Sequence, residues 1–141
     1  MILVDAQLKP ADLRNGLTTL WQASAAKIRN LESAWQPESG APVFTIEGRY
    51  TSRGWTEWTQ GFQFGAPILQ FDSTGETEFL NLGRERTRRY MAPHITHVGV
   101  HDHGFNNVST YGNLLRLMRE GRIPHDPWEE QFYILALQCS G

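Results

Sequence analysis

Apolar residues recur along the first quarter of the chain at intervals of three and four. Leu13, Leu17, Trp21, Ala25, Ile28, Leu31 and Trp35 fall on one stripe of a helix running from about Pro10 to Trp35, and Leu20 widens it. Pro10 suits the first turn, where a missing N–H is no loss, and Pro37 lies just past the end. Trp21 and Trp35 read as core packing. The period lapses from Gln36 to Gly54, a stretch with two prolines, three glycines and one alternating patch, Val43-Phe44-Thr45-Ile46. It predicts a long loop with a short strand-like piece, and long loops in compact domains often line binding sites.

Four further helices follow. The second spans about Glu57 to Phe71, with Trp58, Phe62, Ile68, Leu69 and Phe71 apolar and Gly61, Gly65 and Ala66 interleaved. An interior glycine costs about 1 kcal/mol relative to alanine, so close approach of a neighbouring helix or a ligand is expected there. Pro67 argues against this helix, because an interior proline kinks or ends one. Asp72-Ser73-Thr74-Gly75 reads as a turn. The third helix runs from about Glu76 to Tyr90 and buries Phe79, Leu80, Leu82 and Tyr90. The fourth starts near Phe105, carries Val108, Tyr111, Leu115 and Met118, and stops at Gly121. The fifth opens on Asp126-Pro127-Trp128-Glu129, where Asp126 suits the N-cap and Glu129 completes a near capping box. Phe132, Leu135 and Ala136 continue it.

Five helices with short turns predict an all-α array of stacked helical hairpins in one domain over 1–141, the second and fourth helices on the inner layer. An odd helix leaves one face uncovered. Leu114, Leu115, Met118, Phe132 and Leu135 are then expected to be exposed, giving a weakly stable chain or self-association through that face.

Hydrophobic residues make up 40% of the 141 and charged residues 20%, which fits a globular domain. A net charge of -2 gives no electrostatic reason to expect nucleic acid. The local run Arg84, Arg86, Arg88, Arg89 lies near Glu76, Glu78 and Glu85 and reads as a solvated helix face. Cys139, the single cysteine, excludes an internal disulfide and reads as a small buried apolar residue. No stretch reaches the roughly 18 apolar residues of a membrane span. The start, Met1 to Asp5, lacks a signal peptide's basic region, so a cytoplasmic protein without a membrane partner is expected. Aromatics total 11% and cluster from Trp55 to Phe71, where flat rings can hold sugar faces or fill a core.

The segment Met91 to Gly104 is unlike the rest. It holds His94, His97, His101, Asp102 and His103, a set able to act as acids, bases or metal ligands. The helical His-Glu-x-x-His arrangement of a zinc hydrolase is missing, so a metal-dependent hydrolase using His94–His103 is the weaker reading. Two roles are open to Asp102, three residues before Phe105: capping the fourth helix, or projecting into a cavity to hold hydroxyls or handle a proton.

Trp58-Thr59-Gln60-Gly61-Phe62, then Asp72-Ser73-Thr74-Gly75-Glu76, then His101-Asp102-His103-Gly104-Phe105 resemble, in order and rough spacing, the unsaturated glucuronyl and galacturonyl hydrolases of glycoside hydrolase families 88 and 105. The resemblance covers about Trp55 to Leu117. It implies the N-terminal portion of a six-hairpin α/α barrel, with a site at the mouth of the inner helices. It also implies hydration of the C4–C5 double bond of an unsaturated uronic acid, without a cofactor. Asp102 matches one of the family's two catalytic carboxylates, and the other would fall beyond Gly141, leaving this chain inactive alone. His101, Trp58, Gln60 and His103 become candidate contacts to an oligosaccharide. His103 departs from the family, which more often has an apolar residue there, and Asn106, Asn107 and Ser109 make this inner helix more polar than usual. A non-catalytic glycan-binding module is the alternative.

Overall fold

The computed structural model describes residues 7–55 and 57–140. A single 3-10 turn over Pro10–Leu13 runs into α1, Arg14–Ala34, as the period of three and four requires. Ala25 is buried on its stripe, while Leu13, Leu17 and Leu20 stay exposed. Trp35 ends the helix, and its indole N–H donates to the Gly40 carbonyl at 2.9 Å.

The stretch expected to be a loop is a β-hairpin. After a 3-10 turn at Pro37–Ser39, β1 (Ala41–Ile46) pairs antiparallel with β2 (Arg49–Arg53). Glu47 and Gly48 make the two-residue turn at φ 50° and 77°. Such turns need left-handed backbone at both positions, which Gly48 adopts freely. Glutamate in place of the usual Asn or Asp conceals the signal in the sequence.

Next come α2 (Thr59–Thr74), α3 (Thr77–Tyr90) and a short α4 (Pro93–Thr96). Asp72 to Thr74 are the last turn of α2 rather than a loop, and Gly75 closes it in the left-handed region. Pro67 lies inside α2, which continues through it. The helix expected from Phe105 begins three residues earlier. It consists of α5 (Asp102–Asn107), a π segment (Val108–Gly112) and α6 (Asn113–Arg119), end to end. Finally α7 (Pro127–Ser140) is capped by Asp126, whose Oδ1 accepts the N–H groups of Trp128 and Glu129 at 2.9 and 3.0 Å.

Two layers result. Gly61 meets Asn106 and Gly65 meets Ser109, so α2 and the 102–119 helix run parallel. The others run against them. Gly83 of α3 packs on Ile68 while Tyr90 stacks near Phe64. In the same sense Tyr133 of α7 faces Tyr111 while Glu130 reaches Arg119. α1 packs on α2, where Gln70 Nε2 donates to the Trp21 carbonyl at 3.1 Å, and ion pairs tie it to α3 through Arg29 to Glu76 and Glu78 and through Glu32 to Arg86. The chain is therefore predominantly helical, with one hairpin added. No helix among the described residues is long and apolar enough to cross a membrane.

The core gathers Phe64, Ile68, Phe79, Met91, Tyr111, Leu114, Leu117 and Tyr133. Leu114, Leu115 and Met118 are buried, contrary to the uncovered face expected of them, because α2, α3 and α7 together enclose the 102–119 helix. Phe132 is partly buried and Leu135 is exposed. Of the arginines of α3, Arg88 and Arg89 stay more than half exposed, as a solvated face requires, whereas Arg84 and Arg86 are largely covered. Arg84 and Arg88 pair with the buried Glu129, Arg86 with Glu32, and Arg89 with Glu38 at 3.7 Å. Glu129 thus joins α7 to α3 instead of closing a capping box. Cys139 is exposed, not buried.

The glycine contacts make a direct prediction. A Cβ on Gly61 would overlap the Asn106 backbone, and one on Gly65 would lie 2.5 Å from the Ser109 carbonyl oxygen. Gly61→Ala should therefore destabilise the chain by about 1–3 kcal/mol, although alanine in a helix interior ordinarily gains about 1. Urea unfolding followed by circular dichroism measures this. A stabilised variant would refute the close parallel approach.

Candidate functional site

The packing of α2 on the 102–119 helix defines an exposed face. Helical residues advance by about 100° each, so Trp58, Phe62, Ala66 and Leu69 share one stripe of α2, beside the Gly61/Gly65 contact. His101, Phe105 and Val108 form a stripe on the partner helix, beside its Asn106/Ser109 contact. Because the helices are parallel, both stripes turn to the same side of the pair. Trp58, Phe62 and Leu69 are 47%, 46% and 42% exposed, and Phe105 and Val108 are 52% and 62%. Five large apolar side chains thus line one continuous surface. Trp58 and Phe62 meet edge to face, 5.3 Å between ring centres.

Asp102 sits at the end of this surface, in the seam between the two helices. It is the first residue of α5, one position past the N-cap, which is His101. The cap reading therefore fails: the helix starts at Asp102 itself, too early for that side chain to cap it. The side chain is one-quarter exposed, and His101 Nε2 lies 4.0 Å away. His101 is almost fully exposed. Trp58 immediately precedes α2, level with Asp102 by the Gly61–Asn106 register.

Gln60 and His103 point the other way. Both are buried and belong to a polar network under the face. His94 Nε2 is 2.8 Å from Gln60 Oε1, and His94 Nδ1 is 2.9 Å from His103 Nδ1. His103 Nε2 is 2.7 Å from His97 Nδ1. Trp55 lies over all three imidazoles and stacks on His103, with ring centres 5.6 Å apart at 20°. Asn106 fastens the network to α2: its Oδ1 accepts the Gly61 N–H at 2.7 Å and its amide nitrogen donates to the Glu57 carbonyl at 3.1 Å. Asn107 donates to the His94 carbonyl at 2.9 Å. His103 presents opposite nitrogens to its two neighbours, so the rings form a chain and do not converge. Among the described residues no group of three or more His, Cys, Asp or Glu is placed to hold a metal ion.

Burial pushes the His94 pKa down to about 4, and the neighbouring His103 and His97 add to the effect. His103 is lowered as well, by burial first and then by His97, with Asp102 opposing. Trp55, Asn106 and Asn107 are members of this region that the sequence did not mark as site candidates, and His94 and His97 were marked only as possible acids, bases or metal ligands. The interruption of the apolar period on the fourth helix by Asn106 and Asn107 was the available signal. The chain matches no family model, no curated protein and no solved structure.

A histidine whose pKa is depressed by folding resists charging in the folded state. The unfolded chain takes up its proton first, near the ordinary value of 6.5. Stability should therefore fall as the pH drops from about 6.5 to about 4 and then level off, by up to about 3 kcal/mol from His94. The urea midpoint measured across this range reads the loss. His94→Gln, which cannot charge, should show a shallower slope; an identical slope would mean that His94 is not held neutral.

Proposed function

We propose that this chain contributes the carboxylate and the aromatic platform of a glycoside hydrolase acting on unsaturated uronic-acid oligosaccharides. The observation that carries this reading is the exposed face itself, where Trp58, Phe62, Phe105 and Val108 adjoin Asp102 and His101 at the N-terminal ends of two parallel helices. Sugar rings present flat C–H faces to aromatic side chains and hydroxyls to a carboxylate and an imidazole. Parallel inner helices opposed by antiparallel outer ones are what the beginning of an α/α barrel requires. Trp58 and Phe62 from one motif, with His101, Asp102 and Phe105 from the other, are the residues that support this reading.

In this reading Asp102 is the proton donor to C4 of the unsaturated ring. Water adds at C5, and the resulting hemiketal collapses to release the next sugar. Such a donor must hold its proton near neutral pH, which calls for desolvation or a second carboxylate close by. Asp102 is one-quarter exposed, at a position that a bound sugar ring would cover further. His101 and Trp58 orient the sugar. Gln60 and His103 support the face from beneath.

Two measurements test this. An unsaturated uronic disaccharide titrated into the chain should shift the NMR signals of the Trp58 indole and the His101 ring; Trp58→Ala should weaken binding at least tenfold. No shift at millimolar sugar would remove the reading. Absorbance of the C4–C5 double bond should decay in a form of the protein that sets a second carboxylate beside Asp102, and Asp102→Asn should lower the rate by about 10²–10⁴. Binding without decay in that form would establish a glycan-binding module instead.

A further inference from the structure

The histidine chain beneath the face has its proton positions dictated by backbone groups. Asn106 has no freedom to flip: its Oδ1 takes the Gly61 N–H and its Nδ2 donates to the Glu57 carbonyl. That same Nδ2 lies 3.2 Å from His94 Nδ1. His94 Nδ1 must therefore be an acceptor, and its proton sits on Nε2, donated to Gln60 Oε1. His103 Nδ1, 2.9 Å from His94 Nδ1, must then carry a hydrogen.

The other end of the chain imposes the same demand. The Gly99 backbone N–H donates to His97 Nδ1 at 3.2 Å, so that nitrogen is also an acceptor. Gly99 is pressed on the His97 ring, where no side chain would fit. His103 Nε2, 2.7 Å from His97 Nδ1, must carry a hydrogen too. A neutral imidazole has only one N–H to give, and His103 is asked for two. Without the additional proton, two lone pairs oppose each other at one end of His103, at 2.9 Å against His94 or 2.7 Å against His97, unless His94 moves its hydrogen to Nδ1 against the Asn106 amide or His97 moves its own to Nδ1 against Gly99.

We propose that His94, His97 and His103 form a binding site for one proton, carried on His103, whose occupancy fixes the 97–101 loop leading into Asp102. Trp55 stacks on His103 and offers its π face to an imidazolium. Asp102, adjacent on the same helix, favours the charge, whereas burial and His97 oppose it. From α2, Gln60 faces the cluster with a neutral amide, and just before that helix Glu57 is paired with Arg53 at 3.9 Å. The last turn of α7, which packs on α4 and α5, has no basic residue. Uptake thus falls on the acid side of the ordinary histidine range. Val98, at 93% exposure, lies in the segment that the His97–Gly99 bond holds in place.

Histidine ring nitrogens resolved by ¹⁵N NMR on the full chain, from pH 7.5 to pH 4, test this. We expect His94 as the Nε2–H form at neutral pH. His103 should become protonated on both nitrogens before His94 charges, and the Gly99 amide should move in the same step. His94 with its proton on Nδ1, His94 charging first, or a Gly99 amide that ignores the transition would each overturn the proposal. His97→Phe keeps a ring against Trp55 and removes the acceptor. It should lower the proton affinity of His103 at least tenfold; a rise would show that His97 acts as a competing charge. Stoichiometric Zn²⁺ uptake by the three rings would also overturn it. None of these readouts involves substrate, so the proton site and the sugar-binding reading stand or fall separately.

Discussion

Two helices approach closely because Gly61 and Gly65 offer no side chain to the backbone of Asn106 and Ser109. With any larger residue the axes would move apart, and the short bond from the Gly61 N–H to Asn106 Oδ1 would break. That bond fixes the Asn106 amide, the amide fixes His94, and His94 fixes Gln60 and His103. The same contact sets the register that brings Trp58 level with Asp102. The exposed face and the buried network are two sides of one helix pair.

The 102–119 helix is divided along its length. Its first half buries His103, Asn106, Asn107 and Thr110, while its second half buries Leu114, Leu115, Leu117 and Met118. A buried polar group left unpaired costs about 1–3 kcal/mol, so the polar half holds only if its bonds are made together. The apolar half has no such condition, because its burial is favourable without directional partners. The core formed with α3 and α7 therefore anchors the helix at its lower end. The upper end, next to Asp102, depends on the tautomers of three imidazoles, and on Thr110 returning a bond to the Asn106 carbonyl at 2.7 Å.

Much of this was legible in the chain. Periodicity located α1, α3 and α7, and the two glycines inside α2 signalled the close approach that the structure contains. Other features were hidden for definite reasons. The turn at Glu47–Gly48 lacks the usual Asn or Asp, and so the hairpin passed for a loop. Arg84 and Arg86 resemble part of a solvated row because their acids, Glu129 and Glu32, lie about fifty residues away in sequence. The start of α5 was read late because His101, Asp102 and His103 carry no apolar period to announce a helix. Trp58 and His101 are exposed, and Asp102 keeps one-quarter of its side-chain surface. Gln60 and His103 turn inward, because no spacing rule reveals which face of a helix meets a partner that is itself polar.

Burial here runs against the usual sorting by polarity. On the same two helices, histidine and asparagine are hidden while Trp58, Phe62, Phe105 and Val108 are wet. Single exposed apolar residues are ordinary, but five on one continuous surface are not. If stability alone governed these positions, turning either helix about its axis would hide the aromatics and hydrate the imidazoles. The Gly61/Gly65 contact forbids that rotation, since only this register lets the backbones meet. The inverted pattern is thus maintained at some cost in stability. What the arrangement provides in return is a rigid aromatic surface ending at a carboxylate whose own helix is positioned from below by hydrogen bonds.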